Sequence, residues 1–286
     1  MRFLNRVLRW LPPATLLLLP MLWVTGYALA YSLGLIGVMQ HGWTLVYWKR
    51  VLTDPVVWRA WGFSAYVALV AAGSSWLLAL GIWKAFRRWI VTPGNRFAMS
   101  LPLSIPPVVA AFVLHQTLSG GGWLARITFQ LGWIARPESF PVWIQDTWGA
   151  GILWAHIWMA APFFILLFER TWAHQHLPEL LALGKTLGAS PLQNFLRIEC
   201  PLYFQTTRIN LFLYGLMVFG AYDIPLLLGV QSPQMISVLT LRKFELFDLG
   251  QKPEAYVLAF LYTVLMVWAL LWVRPMTDAS NEKNTS

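Results

Sequence analysis

Gly184, Lys185 and Thr186 form the ending of a phosphate-binding loop. The full motif needs a glycine five residues earlier, and Glu179 stands there. The stretch also follows a long apolar run instead of a β-strand, so no nucleotide site is expected in this chain. His174 and His176 lie two residues apart, a spacing that puts them on different faces of a helix and does not suit a metal. His115 and His156 fall in or near apolar runs and read as buried histidines hydrogen-bonded to a neighbouring helix. The single cysteine excludes an internal disulfide and a multi-cysteine metal site. No Ser-His-Asp set, carboxylate pair or metal-spaced cluster is visible, so neither enzyme chemistry nor a cofactor is expected.

Asp223 carries more information. It lies in the fifth apolar run, within Phe219-Gly-Ala-Tyr-Asp-Ile-Pro225. An acidic side chain at mid-membrane costs about 2.5–3.5 kcal/mol on insertion scales, so it must face a cavity or a partner. Pro225, two residues on, points to a local break of the kind that lines a transport pathway. Two readings stay open: Asp223 lines a substrate pathway, with Tyr222 and Pro225 beside it, or it makes a structural ion pair or sits near the outer interface.

The elements that position these residues are membrane spans. The chain has 286 residues, 58% hydrophobic and only 12% charged, about half the usual charged share. The apolar residues come in blocks of about twenty, the length that crosses a bilayer. They predict an all-α membrane protein with six transmembrane helices, at about 14–38, 62–86, 98–118, 148–168, 209–230 and 255–273, and a polar, disordered tail at 277–286. Ala28-Leu29-Ala30 resembles a signal-peptidase site, but apolar sequence continues through Leu33, Leu35 and Ile36, which favours a retained first span. The net charge of +9 comes from basic residues that flank the apolar blocks, which suits a bilayer and not a nucleic acid. With both termini in the cytoplasm, 13 of the 21 Lys and Arg fall inside, as the positive-inside rule requires. Trp10, Trp43, Trp61, Trp89, Trp148 and Trp172 sit near span ends as interfacial anchors. Leu124, Ile127, Leu131 and Ile134 repeat at helical spacing after Gly120-Gly121-Gly122 and predict a short helix on the membrane surface. Pro102, Pro106 and Pro107 break the third span, which therefore needs neighbours to satisfy its freed carbonyls.

Residues 177–201 form a loop on the side where the positive charge concentrates. Pro178 suits a first helical turn, Leu180, Leu183 and Leu187 make one apolar face, and Gly188 can take the left-handed conformation that ends a helix. Ser190, Pro191 and Gln193 then spell a capping box, Leu192, Phe195 and Leu196 give an apolar face, and Pro201 is expected to stop this second short helix. Two helical turns do not hold themselves together in water, so the face must dock on something.

Gly188-Ala189-Ser190-Pro191, with Ile198 and Pro201 at ten and thirteen residues beyond the glycine, resembles the cytoplasmic loop of ABC importer permeases. That loop reads Glu-Ala-Ala, three residues, Gly, nine residues, Ile, one residue, Leu-Pro. Here Ala182, Leu183 and Gly184 occupy the Glu-Ala-Ala positions, Cys200 replaces the leucine, and Glu179 lies one turn earlier. Leu101 to Ala110 is also similar to these permeases. The stretch from Gly220 to Gly229, and Lys252-Pro-Glu-Ala255, resembles their polyamine, ferric-iron and phosphonate branch. The resemblance implies a type I ABC importer permease fold in a bacterial plasma (inner) membrane. The loop from Gly188 through Ala189, Ser190, Pro191, Leu192, Phe195 and Leu196 would couple to a cytoplasmic ABC ATPase dimer. A second permease subunit, identical or not, would complete the pore, and an extracytoplasmic binding protein would deliver substrate. A non-transporting membrane scaffold or assembly subunit, and a secondary transporter, are the alternatives.

Overall fold

The computed structural model describes residues 2–37 and 42–285, with side chains at 15, 16, 18–37 and 42–273. Val38, which ends the first predicted span, and Ser286, which ends the predicted tail, lie outside the described residues. The described backbone is helical throughout apart from its turns, with no β-strand. That is the expected all-α class, and the physical reason is that a bilayer offers backbone groups no water to bond.

In chain order the helices are α1 (Arg2–Ser32), α2 (Val46–Thr53), α3 (Pro55–Ile90), α4 (Pro93–Ser100), α5 (Pro107–Leu118), α6 (Trp123–Gln130) and α7 (Ala150–His174). There follow α8 (Leu177–Thr186), α9 (Pro191–Asn194), α10 (Cys200–Phe219), α11 (Asp223–Leu228), α12 (Ile236–Glu245) and α13 (Lys252–Thr285). Four stretches are long and apolar enough to cross a membrane: Pro55–Ile90, Pro107–Gln130, Ala150–His174 and Leu249–Val273. The chain is a multi-pass membrane protein. The six expected spans are thus matched at four. The fifth meets α10, which carries Gln205, Thr206, Thr207, Arg208 and Asn210. The first meets α1, where side-chain description starts only at Thr15. The helical backbone of α13 continues into 277–285, where polarity predicts a disordered tail.

The chain divides into two compact units, Met1–Ala60 with Ile236–Ser286, and Trp61–Met235. In the first, Tyr31 of α1 meets Tyr256 of α13 with ring centroids 4.2 Å apart. Lys243 of α12 binds Glu254 at 2.7 Å and lies 3.8 Å from Asp54. The second unit holds the residues of interest. Trp76 and Trp83 lie seven apart on one face of α3, and Thr207 and Tyr203 lie four apart on α10. Trp76 Nε1 donates to Thr207 Oγ1 at 2.9 Å, and Trp83 Nε1 donates to the Tyr203 hydroxyl at 2.7 Å. Around these bonds Phe164, Phe168 and Leu177 are buried in one apolar cluster. The predicted anchors Trp89 and Trp148 are exposed, whereas Trp172 packs against this cluster.

The end of α3 also grips the segment between α9 and α10. Glu199 is buried, with Lys84 Nζ 3.7 Å from one carboxylate oxygen and Arg87 Nη1 3.6 Å from the other. These are ion-pair distances beyond direct hydrogen bonding. Lys84 also stands 3.7 Å over the Phe195 ring, and Arg87 stands 4.3 Å over Trp172. Glu199→Gln removes the charge and keeps the shape. It is expected to raise amide exchange across 177–199 about tenfold while Ala150–His174 stays protected, as hydrogen exchange will show. Tyr203→Phe leaves the Trp83 N–H buried without its acceptor. It should cost about 1–3 kcal/mol, seen as a lowered Tm in detergent.

Candidate functional site

The loop folds largely as its residues dictate. α8 begins at Leu177 with Pro178 in its first turn. It ends with Gly188 at φ 84°, the conformation a side chain resists and glycine accepts. Gly188 N–H donates to Lys185 O at 3.0 Å and Ala189 N–H to Gly184 O at 3.0 Å, which closes a Schellman motif. Gln193 N–H then donates to Ser190 Oγ at 3.2 Å, while Ser190 N–H donates to Gln193 Oε1 at 2.8 Å, completing the capping box.

Beyond the box the structure departs from expectation. Pro201 does not stop the second helix. The chain stays helical from Pro191 to Phe219, with a π-helical segment at Phe195–Glu199 between α9 and α10. Cys200 N–H donates to Phe195 O, five residues back. A proline in an α-helix lacks the N–H for the carbonyl four residues earlier and its ring presses on it; the wider turn relieves both around Pro201.

The apolar face is also redrawn. Leu183, Leu187, Leu192 and Leu196 are exposed, with Leu187 at 80%, Leu192 at 65% and Leu196 at 56%. Phe195 instead turns inward, under the Lys84 ammonium and against the apolar cluster. Helical spacing groups it with Leu192 and Leu196, but it is taken up as an internal anchor at the start of the π-helical segment. Asn194 tucks under α8, with its Nδ2 donating to Leu181 O at 3.2 Å. A Cβ at position 184 would collide with the Asn194 side chain, which explains glycine where the loop pattern has alanine. Glu179 is exposed and meets His176 Nδ1 at 3.2 Å.

Tyr222 and Asp223 lie elsewhere in the second unit. α10 ends at Phe219, the chain turns through Gly220–Tyr222, and α11 begins at Asp223. The break thus precedes Pro225, which is tolerated within the first turn of a new helix. This turn, the unwound approach to α5, and the facing sides of α7 and α10 enclose a cavity of about 780 Å³. Tyr222 and Asp223 line it; Pro225 is buried in α11 and does not. The other polar lining groups are His156, Asn210 and Tyr214. His156 is buried, and its Nε2 has no hydrogen-bond partner, contrary to the paired histidine expected. The Tyr214 hydroxyl donates to His156 O at 2.8 Å. Among the described residues no group of His, Cys, Asp and Glu could hold a metal.

Sequence reasoning passed over Glu199, Lys84, Arg87 and Asn194, and over His156 and Asn210 as lining residues. Glu199 carried a signal, as the lone acid between Pro191 and Gly220.

No protein-family model matches the chain. It is 24% identical over 243 residues to a probable sulfate transport system permease protein, cysT, of Nephroselmis olivacea, covering 82% of this chain and 78% of that one. It is 27% identical over 169 residues to the sulfate transport system permease protein CysT of Salmonella typhimurium, covering 57% of this chain and 54% of that one. Its fold matches a bacterial ABC transporter involved in the import of the acidic polysaccharide alginate. The TM-score is 0.70 at 17% identity, over 98% of this chain and 99% of that one. The alginate transporter in complex with its alginate pentasaccharide-bound periplasmic protein gives 0.67 at 17% identity, over 97% of each chain. Fold and sequence relatives together identify the chain as a permease of the ABC-importer kind.

Proposed function

We propose that this chain spans a bacterial inner membrane six times with both termini in the cytoplasm, and forms half of a substrate pathway beside a second permease subunit. An extracytoplasmic binding protein delivers solute, and a dimer of cytoplasmic ABC ATPases drives the cycle. The relatives' names and the complexed alginate transporter support these partners.

The observation that carries the proposal is the row of exposed leucines, Leu183, Leu187, Leu192 and Leu196, on a loop whose own backbone groups are already satisfied. Each leucine that enters a groove on the ATPase contributes about 1.5–3 kcal/mol of burial. Gly188, Ala189, Ser190 and Pro191 shape the loop, Leu192 and Leu196 enter the groove, and Phe195 ties the loop to α3. Closing of the ATPases pushes this loop and tilts α10, so the pathway past Tyr222 and Asp223 opens alternately to the two sides, with Pro225 in the first turn of the short helix that Asp223 begins.

Leu192→Asp places a charge at the centre of this face and leaves the loop's bonds intact. The variant should insert normally and lose at least about tenfold in co-purification with its ATPase. Unchanged co-purification would remove the face from the coupling role. Substrate-stimulated ATP hydrolysis by the wild-type complex separates an importer from a silent membrane scaffold.

A further inference from the structure

The cavity between α5, α7, α10 and α11 has chemistry of one sign. No Lys or Arg lines it, and Asp223 is its one carboxylate among the described residues. No described cation lies within ion-pair distance of Asp223. Tyr214 and Tyr222 also line it, and the face of such a ring attracts a cation. His156 also lines the cavity; it is 3% exposed, and its Nε2 bonds to nothing in the protein. Asn210 adds an amide with both donor and acceptor capacity.

We propose that this cavity is a binding subsite for an organic cation bearing an ammonium group. Asp223 is the counter-ion, Tyr214 and Tyr222 flank the charge, and Asn210 hydrogen-bonds the rest of the solute. The inference rests on the permease reading and adds the charge class of what is carried. Sulfate, named for the sequence relatives, has the opposite sign. A dianion entering here would meet the exposed Asp223 carboxylate and find no Lys or Arg on the lining to receive it.

The chain's single cysteine makes a direct test possible. In a Cys200→Ser background, Met217→Cys places one thiol on the cavity wall, and Leu213→Cys provides a second position. The assembled importer in proteoliposomes is treated with two methanethiosulfonates of similar size, one ending in trimethylammonium and one in sulfonate. Each rate is normalised to that of the same reagent with 2-mercaptoethanol. The cation is expected to react about tenfold faster or more, with the preference lost in Asp223→Asn and kept in Asp223→Glu. A ratio near one, or a ratio that Asp223→Asn leaves unchanged, overturns the cation assignment. If neither reagent reaches either thiol from either side, the cavity lies off any aqueous path and the pathway reading fails first.

Discussion

A carboxylate removed from water must be met by cations, and Glu199 is met by two. Its position fixes much else in the second unit. It lies in the π-helical segment, so Phe195 at that segment's start comes under Lys84. Asn194, one residue earlier, is held against Gly184. Tyr203, one turn later, receives the Trp83 N–H. The contacts alternate between charge, ring and hydrogen bond. Together they make the loop and the end of α3 one body. If a partner docks on this loop as proposed, a loop so held has little ordering left to lose.

How much of this was legible in the sequence varies by element. The loop's ends were plain, because Pro178, Gly188 and the Ser190–Gln193 pair each act through local backbone chemistry, and each sits where that chemistry places it. The interior of the second helix was not. Pro201 reads as a stop in isolation, but a π turn lets it continue, and no local signal distinguishes the two outcomes. The inward turn of Phe195 comes at the first residue of that same segment, where its partner is Lys84, far away in sequence. Long-range partners were out of reach for a different reason. Lys84 and Arg87 are separated from Glu199 by more than a hundred residues, and in sequence they look like ordinary basic flanks of a span.

The cavity shows the same division. Asp223 was legible because a charge in an apolar run demands an explanation. The broken third span was legible from its prolines, which appear as a 3₁₀ turn at Leu101–Ser104 and a break at Pro106 ahead of α5. His156 and Asn210 gave no comparable sign, since a polar residue on an apolar helix fits a buried hydrogen bond as well as a cavity wall. Only the facing of α7 and α10 separates these cases. The six-span count shows the limit of hydropathy alone: α10 carries polar residues from Gln205 to Asn210, so its composition falls short of what four other stretches reach.

The unbroken helical path from Pro191 to Phe219 makes a lever. At about 1.5 Å per residue, roughly 40 Å separate Leu192 from Met217 along it. On the proposed coupling, a swing imposed at the leucine end would be carried along this arm to the cavity wall at Met217. The π segment interrupts the arm near its driven end. Stiffness in those five residues would then set how much of each stroke arrives, a gearing held apart from both nucleotide and cargo.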